Sequence, residues 1–205
     1  MMIKICGMRD ARNIREVESL NPSMMGFICW DGSPRNVTVP PAYLPSCTRV
    51  GVFVEPQLSH VQTKIEELKL NRIQLHGNES PEYCQTIAAA TGLPVIKAIS
   101  VHQREDIDKY RQYVGIADML LFDTKCKTVG GSGSSFNWDI LQHYDGNIPF
   151  LLAGGIGPDD AERVRQFRHP QFAGIDLNSR FETSAAYKNI QLLKQFINKL
   201  KRCTI

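Results

Sequence analysis

Val50-Gly51-Val52-Phe53-Val54, then Leu58, Val61, Ile65 and Leu68, then Ile73-Gln74-Leu75: this stretch decides the fold. The first run is short, apolar and rich in β-branched and aromatic residues, which is the signature of a buried strand. The next four apolar residues fall at i, i+3, i+7 and i+10 among polar neighbours, the one-sided stripe of an amphipathic helix. A second apolar run follows, so the stretch reads strand, helix, strand. Similar runs recur at residues 3–6, 26–29, 95–99, 119–122, 150–153 and 172–177, eight in all with these two. Their centres (Ile3, Phe27, Val52, Ile73, Ile96, Leu120, Leu151 and Ile175) are spaced by 24, 25, 21, 23, 24, 31 and 24 residues.

Helix signals lie between the runs. Ser80-Pro81-Glu82 combines an N-cap, a proline at the first helical position and an acid in the first turn, and Thr91-Gly92 closes the same helix. Pro158 is expected to open another. Ile190, Leu193, Ile197 and Leu200 make a final stripe ending in Lys199, Lys201 and Arg202, cations suited to the negative end of a helix dipole. Strands that are apolar throughout, each followed by a helix, indicate a parallel sheet buried on both faces. Eight such units predict an α/β fold, a single near-minimal (β/α)8 TIM barrel. The structural rival, an open doubly wound sheet, usually opens on a G-x-G-x-x-G turn, and Cys6-Gly7-Met8-Arg9 does not match it.

The 205 residues, 42% apolar, suit one barrel domain over 1–205 and leave no room for a second. A net charge of +3, from 24 basic and 21 acidic residues, is too small and too mixed for a nucleic-acid footprint. Neither a signal-like start nor an apolar run of membrane-spanning length is present, so a soluble, cytoplasmic protein with no nucleic-acid or membrane partner is expected. The six cysteines are scattered without CxxC or zinc spacing and read as reduced thiols, mostly packing. The sequons Asn36-Val-Thr38 and Asn78-Glu-Ser80 carry no weight in that compartment. His60, His76, His102, His143 and His169 are too dispersed to suggest a metal site. A monomer is the default, a homodimer the alternative.

In such barrels the chemistry sits at the C-terminal ends of the strands. The residues just after the runs include Cys6-Gly7, Trp30 through Arg35, Glu55, His76-Gly77, Ser100, Asp123, Gly154-Gly155 and Asp176 through Arg180. A thiol, arginines, an imidazole, carboxylates and a double glycine thus converge on one mouth. Gly154-Gly155 after the seventh run, with Asp176, Asn178, Ser179 and Arg180 after the eighth, occupy the loops that bind phosphate in many barrels. A phosphorylated small-molecule substrate follows; a plain tight turn is the bland alternative for the glycines. The longest interval holds Gly130-Gly131-Ser132-Gly133-Ser134-Ser135, so residues 124–136 read either as a lid over that mouth or as a plain surface loop. The stretch lacks P-loop spacing.

At Lys4-Ile5-Cys6-Gly7-Met8, Gly51-Val52-Phe53, Gln74-Leu75-His76-Gly77, Leu121-Phe122-Asp123-Thr124-Lys125, Gly130-Gly131-Ser132-Gly133, Leu152-Ala153-Gly154-Gly155 and Gly174-Ile175-Asp176-Leu177, the sequence resembles the phosphoribosylanthranilate isomerase family of tryptophan biosynthesis, in the family's order over nearly the whole chain. The resemblance implies an Amadori rearrangement: an aminofuranose opens to a Schiff base and becomes a 1-deoxyribulose through an enolamine, with no cofactor and no metal. It assigns the base to Cys6 and the acid to Asp123, and gives Arg35 the anthranilate carboxylate, which suits a guanidinium fork. Strands one and six lie three steps apart round an eight-strand ring, so acid and base can flank one sugar. His76 and Asp176 are substrate-lining or structural. The sequence departs from the family at Arg180, where a glycine is usual, at Asn137, where an aspartate is usual, and over residues 183–189, where a Pro-Gly-x-Lys-Asp segment is mostly missing. Another phosphosugar barrel enzyme, or a non-catalytic barrel that binds a phosphoribosyl ligand, are the competing functions.

Overall fold

The structure, a computed structural model, describes residues 1–124 and 138–201. The eight apolar runs form Met2–Ile5 (β1), Met24–Ile28 (β2), Thr48–Phe53 (β3), Arg72–Leu75 (β4), Val95–Ser100 (β5), Met119–Asp123 (β6), Phe150–Ala153 (β7) and Phe172–Leu177 (β8). Each strand pairs in parallel with the next, and β1 closes the ring against β8. At that seam Ile3 lies opposite Ile175 and Lys4 opposite Asp176.

Successive side chains on a strand point to opposite faces, and in a closed barrel those faces are the lumen and the helix layer. Ile3, Ile5, Ile73, Leu75, Leu120, Phe122, Ile175 and Leu177 turn outward into the main core beneath the helices. Met24, Val50, Val52, Ile96, Leu121 and Leu151 fill the barrel itself and form a second core with Cys6. Both faces exclude water, and fully burying each such side chain stabilises by about 1.5–3 kcal/mol before entropy is charged against it. That double burial is why the runs are apolar throughout instead of alternating. The exceptions are informative. Lys4, Gln74 and Lys97 are polar residues inside strands, and all three are buried.

Among the described residues five α-helices cover the outside: Ala11–Glu18 (α1), Leu58–Leu68 (α2), Pro81–Thr91 (α3), Ala161–Gln166 (α4) and Ile190–Lys201 (α5). Ser80 caps α3 by accepting from the Tyr83 N–H, and the chain leaves α3 at Gly92 in the left-handed conformation. Helix α5 buries Leu193, Phe196 and Ile197 and carries Lys199 and Lys201 in its last turn. Pro158 does not open its helix. It sits in a turn, and α4 begins at Ala161, after Asp160 has accepted the Gly157 N–H at 2.7 Å.

Among the described residues the strand-then-helix alternation is incomplete. No helix joins β2 to β3, because Pro34, Pro40, Pro41 and Pro45 remove the backbone donors that a helix needs. The connection after β5 is a 3₁₀ helix, Arg104–Tyr113, and the one before β7 contains another, Trp138–His143. An antiparallel hairpin not anticipated from sequence, Glu182–Ser184 (β9) with Tyr187–Lys188 (β10), follows β8. The expectations for Asn137, for Arg202 and for the 124–136 stretch beyond Thr124 lie outside the described residues.

Candidate active site

At the C-terminal end of the strands a cavity of about 440 Å³ opens. Its wall contains most of the chemistry-bearing residues singled out at the strand ends, Cys6, Arg35, His76, Asp123, Gly154, Gly155, Asp176, Asn178, Ser179 and Arg180, whereas Glu55, Gly77 and Ser100 line a neighbouring cavity. Parity explains the convergence. Cys6 is two residues beyond Lys4, Asp123 two beyond Leu121 and His76 two beyond Gln74, so each turns to the lumen where its strand runs out of core.

Cys6 is almost fully buried, and burial pushes its thiol above the ordinary value. The ammoniums of Lys4 and Lys188 oppose that push, while Asp176 adds to it. Gly26 on the neighbouring strand makes room for the sulfur, since a Cβ there would lie 2.7 Å from Sγ and 3.1 Å from Lys4 Nζ. Cys29 and Cys84 sit in the outer core instead, where burial drives their thiols to about 12 and about 11. They are packing residues, as the scattered cysteines suggested.

Across the mouth, His76 Nε2 lies 3.2 Å from Asp123 Oδ2, and its Nδ1 lies 2.7 Å from the amide of Gln74. A Gln74 N–H donated to Nδ1 leaves the imidazole proton on Nε2, where it donates to Asp123 Oδ2. Asp176 bonds Lys4 Nζ through Oδ2 at 2.9 Å, while Oδ1 is buried with no hydrogen-bond partner among the described residues. Burial pushes the Asp176 carboxyl up against the pull of Lys4. Burial also works against the charge on Lys4, yet Asp176 and then Cys6 outweigh it and hold the ammonium protonated.

Arg35 is already gripped. Its Nε and Nη2 donate to both carboxylate oxygens of Glu182 at 2.6–3.0 Å. This leaves the Nη1 hydrogens and the second Nη2 hydrogen, the end-on edge of the fork, outside the pair. Glu182 also accepts from Lys188 Nζ at 2.6 Å, and Lys188 bonds Asn178 Oδ1 at 2.8 Å. Burial raises the Glu182 carboxyl, but these two cations overcome it and hold it well into the ionised range. The same burial pulls the Lys188 ammonium down. One carboxylate from β9 therefore ties the loop after β2 to the loop after β8.

The β7 loop is shaped by its glycines. Gly154 has φ 91°, and a Cβ on it would strike the Thr124 backbone at 2.4 Å, so only glycine fits. The exposed Arg180 follows β8, and its Nε would lie 3.7 Å from a Cβ on Gly157, so both loops reach the same rim. Sequence reading passed over Lys4, Glu182 and Lys188. For Lys4 a signal existed: a lysine inside a doubly buried strand needs a buried counter-ion. For Glu182 and Lys188 there was none locally, because their partners are distant in sequence.

The model of the family described as N-(5'phosphoribosyl)anthranilate (PRA) isomerase matches residues 3–199. N-(5'-phosphoribosyl)anthranilate isomerase of Phocaeicola vulgatus is 48% identical over 203 residues, 98% of either chain. The crystal structure of phosphoribosyl anthranilate isomerase from Thermotoga maritima superposes with a TM-score of 0.83 at 29% identity, again over 98% of both chains. A structure of the isomerase in complex with reduced 1-(o-carboxyphenylamino)-1-deoxyribulose 5-phosphate matches with a TM-score of 0.80 at 26% identity, covering 98% of each chain. Matched in sequence and in fold along nearly its whole length, the chain belongs to the N-(5'-phosphoribosyl)anthranilate isomerase family.

Proposed function

We propose that this enzyme isomerises N-(5'-phosphoribosyl)anthranilate in tryptophan biosynthesis with Cys6 as the base and Asp123 as the acid. The observation that carries the assignment is a single cavity wall. It holds a thiol at the end of β1, a carboxyl at the end of β6, a guanidinium after β2 and a double glycine after β7. Protonated Asp123 delivers its proton to the furanose ring oxygen, the C1–O bond breaks, and the anilino nitrogen takes up the positive charge as a Schiff base. The Cys6 thiolate then removes the C2 proton to give the enolamine, which tautomerises to the 1-deoxyribulose. Protons and bonding pairs shift within the substrate and no external electron donor or acceptor takes part, so the proposed chemistry calls for no cofactor and no metal.

Binding divides between the two ends of the substrate. The free edge of Arg35, fixed in place by Glu182, takes the anthranilate carboxylate, and the loops of Gly154, Gly155, Ser179 and Arg180 take the phosphate. His76, Asp176 and Asn178 line the sugar between them. All of these groups come from one barrel domain, so a monomer and a homodimer would each carry the proposed site whole. No helix among the described residues is long and apolar enough to cross a membrane. The scattered cysteines, read as reduced thiols, support a cytoplasmic location, and the balanced charge gives no support to a nucleic-acid partner.

The test mixes purified protein with freshly made phosphoribosylanthranilate and follows the decay of its fluorescence. Cys6→Ala and Asp123→Asn are each expected to abolish the decay while still binding the reduced product analogue, because Arg35 and the phosphate loops are untouched. Normal turnover in either variant overturns the mechanism. A wild-type decay no faster than the spontaneous one favours a barrel that only binds.

A further inference from the structure

Lys4 is a fully buried lysine inside the barrel, and the family assignment gives it no role. Its ammonium carries three donors, of which Asp176 Oδ2 takes one at 2.9 Å. Its Nζ and the sulfur of Cys6 crowd onto the same space above Gly26, the space that a single Cβ would fill. Strand parity forces this arrangement. Residues 4 and 6 share the inner face of β1, and the register of the seam sets Asp176 directly beside Lys4. Among the described residues the sulfur is also within electrostatic reach of Lys188 from β10, Arg35 from the β2–β3 connection and the Cys29 thiol, and Asp176 is within reach of His76 and Asp123. Lys188 and Arg35 share the one carboxylate of Glu182, which leaves that trio a net charge of +1, and the pull of Lys188 on the sulfur is weaker than that of Lys4. Among the described residues the charge of Lys4 acts on Asp176 and Cys6.

We propose that Lys4 is a positioning residue for the base: its buried ammonium stabilises the Cys6 thiolate, and Asp176, by competing for the same ammonium, sets how much thiolate forms. This rests on Cys6 being the base. An opposite charge at close range in a water-poor site is the strongest available counterweight to the burial of a thiolate, and a neighbouring carboxylate works against it. The two partners of one ion pair therefore act on the thiol with opposite signs. A purely structural salt bridge predicts no such asymmetry, since losing either half disturbs the same packing.

The experiment measures the rate of Cys6 carboxamidomethylation by iodoacetamide across the neutral and alkaline range, read peptide by peptide in the mass spectrometer so that the other thiols do not interfere. Lys4→Met is expected to raise the alkylation midpoint by about one to three pH units. Asp176→Asn is expected to lower it. Lys4→Met also lowers kcat at neutral pH by about tenfold or more, with KM little changed and with recovery as the pH rises. If Lys4→Met does not fold, Asp176→Asn and the double variant Lys4→Met/Asp176→Asn, which buries no lone charge, still decide: the double variant's midpoint must lie above that of Asp176→Asn. Shifts of the same sign, or none, overturn the role of Lys4. A Cys6→Ala variant that turns over normally instead overturns the assignment of the base, and the proposal with it.

Discussion

Glu79→Gln leaves the Lys97 ammonium buried without its counter-ion. The two side chains are 0% and 2% exposed, and Lys97 Nζ lies 2.8 Å from Glu79 Oε2. The carboxylate also accepts the backbone N–H groups of Glu55 at 2.9 Å and Gly77 at 3.0 Å, so it pins the loops after β3 and β4 beside His76. A glutamine amide can offer its oxygen to one set of donors only, and its NH2 must then face the other. Breaking a buried pair from one side costs about 3–5 kcal/mol. At about 2–4 °C per kcal/mol for a chain of this size, Tm should fall by roughly 6–20 °C in a calorimetric or circular-dichroism melt. Adding Lys97→Met should restore much of the loss, because an apolar residue of similar length needs no counter-ion. Burial raises the Glu79 carboxyl, but the bond and charge of Lys97 prevail and hold it below its ordinary value. Its contribution is therefore present above the unfolded carboxyl pKa of about 4.3 and is lost as the pH falls through the lower folded value. The wild type should lose stability through that acid window more steeply than Glu79→Gln, and the two melting curves should converge below it. A drop of less than about 3 °C at neutral pH, with no gain from Lys97→Met, refutes the reasoning.

Gly26→Ala puts a Cβ 2.7 Å from the Cys6 sulfur, so turnover should fall at least about tenfold while overpacking destabilises by about 1–3 kcal/mol; turnover within twofold of wild type in a folded variant refutes the placement of the thiol. Gly154→Ala meets both a positive φ and the Thr124 backbone, so inhibition by inorganic phosphate should weaken and the melt should shift down; unchanged inhibition removes this loop from the phosphate site. Arg180→Gly should weaken inhibition by phosphate without a comparable loss of stability, since the side chain is exposed. Equal inhibition of both forms excludes Arg180 from that site.

Much of the architecture was legible because it follows from one-dimensional patterns. A strand buried on both faces must be apolar at every position, and a helix on its outer layer must be apolar on one stripe, so period and spacing revealed eight strands and the limits of α2, α3 and α5. Connections were harder. Strand spacing alone does not show that the prolines between β2 and β3 keep a helix out of that connection, and the 3₁₀ segment Arg104–Tyr113 depends on what its few apolar residues meet across the layer. Pro158 matched a helix-opening pattern that a turn uses equally well.

The sequence by itself determined the order of the strands, the parity of each strand and therefore which residues arrive at the mouth: Cys6, His76, Asp123 and Asp176 are in the site because each ends a run on its inner face. Only the tertiary structure decided what those residues touch. Lys4 and Asp176 are 172 residues apart and become neighbours because closing the ring lays β1 against β8. Arg35 meets Glu182, 147 residues away, only because a short hairpin folds back over the mouth. Local sequence encodes burial and period, which act over a few residues, but the charge that surrounds a buried group is set by whichever strand the closure places beside it.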